Sequence, residues 1–392
     1  MHRLPSHHVA LVVALASIPL GCPAKQLESD DEAAEVDEFS SEEGEPCFDF
    51  SERFEFPGEV CMVTPSNLVV YIDAIDRLAI ARIAASGSAL ELSEIVEYES
   101  HQGCGQLAHD EVGDRLWLLE GGSPGPLRLR ALDGEGTLAW EQELPAWVMP
   151  SLVTHERDVL ISGALENPDD SYTAQALRLD VDGNQVWSQS GFVAASDDPE
   201  RPMSNLASPV HVGNRVVYLG SQWGIDSAAV SLVALDPADG SVGWHTLLTP
   251  DDFSGPRYDL GGDGERAYLT VVREPSQVDP GDPATVELVA YSEAGTIEWM
   301  HEETWPEGYQ IDATSVVRGA DELYLSGLGL RNDGQADGRQ IAYSLDGTPR
   351  CIRGLTMTSI HGHTVLPDGR YALFGEDSPA NGQVPVILVH EP

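Results

Sequence analysis

Short runs of apolar, β-branched and aromatic residues recur along the chain, each preceded by Gly, Asp, Asn or Glu. They are Leu68 to Tyr71, Leu116 to Leu119, Val159 to Ile161, Val216 to Leu219, Ala267 to Leu269, Leu323 to Leu325 and Tyr371 to Phe374. Runs of this length bounded by turn formers are the signature of short strands. A polar loop and a second strand-like run follow, as at Leu177 to Leu179 and Leu232 to Leu235. A Gly turn then leads into another strand, and in four units Trp stands four places after the Gly: Gly136 and Trp140, Gly183 and Trp187, Gly240 and Trp244, Gly295 and Trp299. Degenerate copies occur at Gly87 with Glu91 and at Gly347 with Cys351. Self-similarity with a period of roughly fifty residues indicates a repeat architecture. The 3.6-residue periodicity of helical repeats is missing.

Each unit reads as a four-stranded antiparallel meander, strands a to d, with the Trp on d. Such units repeated about an axis form a β-propeller, which leaves only short edges unprotected. The expected fold is therefore all-β, a propeller of seven four-stranded blades, with six or eight blades as alternatives. Seven b strands face only six Gly-turn signatures, and the last unit ends after its c strand. The alternating segment Phe48 to Phe56 is predicted to supply the missing d strand by pairing with Val386 to Val389. The d-to-a and b-to-c connections share one face. The long polar loops Ala164 to Gln175, Ser190 to Asn205, Glu274 to Val286 and Leu328 to Arg339 all fall there. Rigid scaffolds concentrate function on such loops. Trp147, Trp223, Phe253, Trp305 and Tyr309 are the candidate binding residues on that face.

The N-terminus changes the picture of where this body works. His2 and Arg3 precede an apolar run, Val9 to Ile18, too short to span a bilayer, and Pro19-Leu20-Gly21-Cys22 follows at the cleavage position. This pattern looks like a lipoprotein signal over residues 1–21, with acylation of Cys22; a plain secretory signal is the alternative. Residues 22–46 form an acidic tether, in which Glu28 to Pro46 carries ten acids and no base. The propeller domain occupies 47–392. Pro23 after Cys22 favours the outer membrane, with lipid as the sole membrane contact.

The formal charge is −44, and beyond the tether 55 acids still face 19 arginines. Phosphate backbones would be repelled, so nucleic-acid binding is excluded. Besides Cys22 there are four cysteines, an even number that suits an oxidising compartment. Three pairings exist, and the topology favours joining like positions: Cys61 with Cys104 at inner strands, Cys47 with Cys351 at outer strands.

The units Ala131-Leu132-Asp133 to Trp140, Leu179-Asp180 to Trp187 and Ala234-Leu235-Asp236 to Trp244 resemble the tryptophan-docking repeat of the pyrroloquinoline-quinone-like β-propellers. The resemblance covers roughly residues 60 to 390. It implies that each Trp packs on the adjacent blade. The superfamily includes quinoprotein dehydrogenases, sensors and non-enzymatic lipoproteins, so the resemblance fixes fold better than function. The dehydrogenases hold the quinone against adjacent cysteines, which this chain lacks, so no quinone site is carried over and no cofactor is expected. Calcium suits the acidity, but no ligand set supports it.

GxSxG, HExxH, GxxxxGK[ST] and EF-hand spacings do not occur. Asp180-Val181-Asp182-Gly183-Asn184 reads as turn chemistry rather than a calcium loop. His361 and His363 are weak metal candidates, two imidazoles on one side of a strand. The expectation is a monomeric, membrane-tethered binding scaffold for an envelope protein or a saccharide, with no recognisable catalytic residue. The alternative is an enzyme with a metal-assisted site in the central channel.

Overall fold

The computed structural model describes residues 50–390 apart from short segments, of which 193–202, 249–256 and 274–283 are the longest. Its described residues form strands and no helix. Strand β1 (Phe50–Glu55) precedes the first blade, which is β2 (Glu59–Val63), β3 (Leu68–Ile72), β4 (Arg77–Ser86) and β5 (Ala89–Glu99). Blade two is β6 (Gln106–Asp110), β7 (Arg115–Gly121), β8 (Leu127–Asp133) and β9 (Leu138–Leu144). Blade three is β10 (Trp147–His155), β11 (Asp158–Glu166), β12 (Tyr172–Leu179) and β13 (Gln185–Ser190). Blade four is β14 (Met203–Val212), β15 (Arg215–Trp223), β16 (Ala228–Leu235) and β17 (Val242–Leu248). Blade five is β18 (Arg257–Gly262), β19 (Arg266–Arg273), β20 (Thr285–Ser292) and β21 (Ile297–Thr304). Blade six is β22 (Tyr309–Arg318), β23 (Glu322–Arg331), β24 (Ala336–Ser344) and β25 (Pro349–Leu355). Blade seven is β26 (Met357–Val365), β27 (Tyr371–Asp377) and β28 (Val384–His390), completed by β1.

This is the seven-bladed propeller that the repeats predict. Closure also follows the prediction: β1 lies antiparallel to β28, with Glu52 opposite Val389, Phe54 opposite Ile387 and Glu55 opposite Val386. First strands of neighbouring blades touch from β6 to β10 and on through β14, β18, β22 and β26 to β2. Blades three and four are additionally linked by one parallel bridge, Tyr172 to Met203.

The apolar runs are continuous rather than alternating because both faces of each blade are covered. Seven hydrophobic clusters occur among the described residues, and each lies at one seam between blades. Blade seven shows how the period of two divides the work. Tyr371, Leu373, Val386 and Leu388 join the cluster with blade six. The intervening Ala372, Phe374, Ile387 and Val389 join Val60, Val69 and Tyr71 of blade one. The closing seam is thus a buried core of the same kind as the others.

A shared irregularity marks every blade. The third and fourth strands carry a one-residue bulge, at Ile80/Ala81, Ala131/Leu132, Arg178/Leu179, Ala234/Leu235, Ala290/Tyr291 and Ala342/Tyr343. The β1 strand reproduces it between Phe50 and Glu52. In four blades the residue just past the bulge is Trp, paired with Ala131, Arg178, Ala234 and Ala290. Bulges re-aim side chains locally, and here the re-aimed residue is the one at the seam. Cys351 holds this position in blade six, opposite Ala342. In blade one the hairpin of β4 and β5 is longer, so Val96 rather than Glu91 takes the equivalent register, opposite Ile80.

Two of the expected loops are largely strand. Chain 164–175 is covered by β11 as far as Glu166 and by β12 from Tyr172, because Ala164 and Ala174 are buried and the Asn167 amide bonds Ser171 Oγ and Thr173 Oγ1 at 2.9 and 2.8 Å. Chain 328–339 is likewise mostly β23 and β24, which pair as far as Leu330 and Ala336. The stretches 190–205 and 274–286 contain the long connections, whose interiors lie outside the described residues.

Candidate functional site

The repeat residues build blade-to-blade joints. The indole Nε1 of Trp140 donates to the Val181 carbonyl at 2.9 Å, Trp187 to Pro237 at 2.8 Å, Trp244 to Glu293 at 2.7 Å and Trp299 to Leu345 at 3.2 Å. Each acceptor lies in the Gly turn of the next blade. Gly183, Gly240, Gly295 and Gly347 in those turns have φ of +85°, +75°, +76° and +85°, a conformation that L side chains rarely adopt. A Cβ on them would stand 3.2, 2.8, 2.6 and 2.5 Å from the ring of the preceding Trp. Glycine is therefore required twice over, by the turn and by the ring lying on it. Gly136 has the same φ, +76°, in a turn closed by its N–H on the Asp133 carbonyl. The ladder starts there because blade one brings no Trp to the joint.

The Asp180 turn is held by its own carboxylate. Asp180 Oδ1 accepts from the Asp182 and Asn184 amides at 2.9 and 2.8 Å, and the Asn184 side chain donates as well. Those bonds hold its carboxyl below the usual carboxylate range. The carboxylate is thus already engaged by the turn.

The loop-face aromatics divide. Trp147 is a correction: only 2 % exposed, it packs in the core between blades two and three and its ring lies against Gly163. The apolar start of β10 draws it inward, so it presents nothing to a partner. Trp223 and Tyr309 sit at strand ends on the loop side, opposite Met203 and Arg331 in register. Phe253 and Trp305 lie outside the described residues, as do Cys22, Cys47 and Cys104. Cys61 falls on β2, and Cys351 packs against the core shared by blades six and seven.

His361 and His363 do not converge, which corrects the expectation of two imidazoles on one side. A bulge between Ile360 and Gly362 separates them. His361 turns toward blade one, with Nδ1 3.4 Å from the Val60 carbonyl and 3.9 Å from the Glu59 carboxylate, and Nε2 3.1 Å from Ser359 Oγ. His363 turns toward blade six. Its Nδ1 is 2.8 Å from the Tyr371 hydroxyl and 3.3 Å from Ser326 Oγ, and the ring also bonds the Val316 carbonyl. Both hydroxyls thus gather on Nδ1.

Burial holds His363 down at about 4, against the Val316 bond, which acts in the opposite direction. Its folded value lies below the ordinary 6.5, so the unfolded chain takes up the proton first as pH falls. The contribution of His363 is intact above about 6.5 and is lost between there and about 4. The stability advantage of wild type over His363→Gln should therefore shrink by about 2–3 kcal/mol between pH 7 and pH 4.5. Urea midpoints of the two proteins at both values check this, and an unchanged difference contradicts it.

Several polar groups in the inner strands carry no sequence signal. Burial raises Asp259, on β18, to about 6. His155 and His211 stack with ring centroids 5.3 Å apart, and burial lowers both. The Asp263 side chain is fully buried and accepts from Tyr268 Oη at 2.6 Å and Arg318 at 3.2 Å, tying blade five to blade six. His155 with His211, and Asp263 with Arg318, are brought together by the packing of neighbouring blades. No group of three or more His, Cys, Asp or Glu placed to hold a metal occurs among the described residues.

A family model described as outer membrane protein assembly factor BamB matches residues 123–261, from blade two into blade five. That match falls on the part where Trp docks on Gly in successive blades. Over that stretch the chain is similar to the pyrroloquinoline-quinone-like, tryptophan-docking β-propellers. No curated protein matches it. Among solved structures, this propeller is similar to a chain of the mitotic checkpoint complex, at 12 % identity and TM-score 0.52, covering 97 % of this chain and 100 % of that one. It is also similar to a chain from a study of two prolyl endopeptidases, at 17 % identity and TM-score 0.56, covering 86 % of this chain and 46 % of that one. The propeller thus spans less than half of the peptidase chain, and at these identities the likeness is one of fold.

Proposed function

We propose that this propeller is an extracytoplasmic binding scaffold, anchored through acylated Cys22 to the outer membrane and held off its surface by the acidic tether. Its loop face, with Trp223, Phe253, Trp305 and Tyr309, engages an envelope protein. The observation that carries this reading is the match to the assembly-factor family over residues 123–261. The docking ladder supports it from the other side, because the most regular residues of the chain are committed to holding blades together and leave recognition to the loops. In an oxidising compartment the pairs Cys61 with Cys104 and Cys47 with Cys351 would form, the second tying the closing strand to blade six.

The test is chemical cross-linking of intact cells that carry the tagged full-length chain, followed by isolation from the membrane fraction. A defined protein adduct is expected, weakened severalfold by joint Trp223→Ala and Trp305→Ala substitution, and peptide mapping of the same material without reductant should recover both disulfides. An adduct indifferent to those substitutions, or recovery of the chain in the cytosol with reduced cysteines, overturns the proposal.

A further inference from the structure

The repeat supplies its own control for reading its exceptions. Consider the bulged residue before each docking position: Ala139, Val186, Gly243, Glu298 and Arg350 in blades two to six. In blade five Glu298 pairs with Arg266, the first residue of β19, at 2.6 Å. In blade six the same pair recurs with signs exchanged, as Arg350 and Glu322. Blade four has an arginine in the same place, Arg215, as blade two has Arg115, but Gly243 at its bulge offers no carboxylate. The guanidinium lies 3.1 Å from where a Gly243 Cβ would stand, and it turns to Asp236 at 3.0 Å instead.

A second exception falls at the same seam. The residue that accepts the indole bond is Val181, Pro237 or Leu345 at three joints, but Glu293 at the joint of Trp244. Its carboxylate reaches back to blade four, where Oε1 accepts from the Asn214 amide at 3.1 Å. Between these departures lies a cavity of about 380 Å³ lined by Arg215, Gly243, Trp244, Glu293 and Ala294. It is on the face of the short turns, opposite the loop face, and it stands independently of the function proposed above. Its volume is at the small end of the roughly 300–1,000 Å³ of small-molecule sites.

We infer that this cavity binds a neutral saccharide, one or two pyranose rings in size. The lining offers both halves of a hydroxyl's hydrogen bonding: guanidinium N–H groups not used by Asp236 donate, and the second carboxylate oxygen of Glu293 accepts. The Trp244 indole supplies an apolar wall suited to the C–H face of a sugar ring. An anionic ligand would meet Glu293 and Asp236, and a cationic one would meet Arg215. A neutral polyhydroxyl ligand meets neither repulsion.

The test uses ligand-observed NMR and calorimetry on the folded full-length chain with three neutral probes, maltotriose, cellotriose and triacetylchitotriose, and with trigalacturonate as the charged one. At least one neutral probe should bind wild type. Gly243→Glu, which restores the carboxylate present in blade five, should weaken it roughly tenfold or more with the melting temperature kept. Glu293→Ala, which leaves the β17 bulge untouched, carries the same expectation should the first variant misfold. Failure of every neutral probe at about 10 mM, affinity unchanged in both variants, or preference for trigalacturonate overturns the inference.

Discussion

Gly347→Ala is expected to lower stability by about 2–5 kcal/mol, against about 1–2 kcal/mol for Gly264→Ala. Both glycines have positive φ, +85° and +83°, so both substitutions pay the left-handed penalty of an L residue. They differ in what the methyl meets. At Gly347 it would stand 2.5 and 2.6 Å from carbons of the Trp299 ring, whereas at Gly264 nothing lies within 4 Å. Trp299 cannot retreat without losing its bond to the Leu345 carbonyl and its packing against the seam core. The difference between the two variants therefore isolates the joint from the turn. Guanidinium denaturation of the three proteins measures it, and equal losses would mean that the ring does not rest on the glycine.

A chain beginning at Phe56 should lose comparable stability and begin to self-associate. It lacks the five β1 residues paired with β28, and cross-strand pairs contribute roughly 0.2–1 kcal/mol each. More consequential is the bare edge of β28, whose Val386 to Val389 would present unpaired backbone to any neighbouring chain. The comparison belongs in reductant, so that the loss of Cys47 plays no part. Sedimentation should show oligomers and the melting temperature should fall. A peptide spanning residues 48–55, added in excess, should reverse both. A truncated monomer as stable as the full chain would contradict closure by β1.

The fold was legible because the signals it rests on are local and repeated. A strand buried on both faces reads as an apolar run, and a turn with positive φ reads as Gly, so blade number and boundaries follow from counting. Closure was legible by subtraction, since a seventh b strand had no outer partner except Phe48 to Phe56. The bulge was hidden, because Ala139, Val186, Gly243, Glu298 and Arg350 share no chemistry. For the same reason Glu91 looked like the blade-one counterpart of Trp when register gives that place to Val96. Trp147 looked exposed because it follows Pro145 and Ala146 in a connection, yet it starts an inner strand. The polar contacts of His363, and the cavity at the joint of Trp244, depend on residues brought from different blades. Such juxtapositions have no spacing in the chain to read.

Hydrogen exchange of the segment 50–56 in the intact protein tests the central claim most directly. An N-terminal strand that completes blade seven has both its hydrogen bonds to β28 and the buried Phe56 behind it, so its amides should exchange on the timescale of strands inside the blades. Exchange at the rate of an unstructured chain would mean that the ring is closed in some other way.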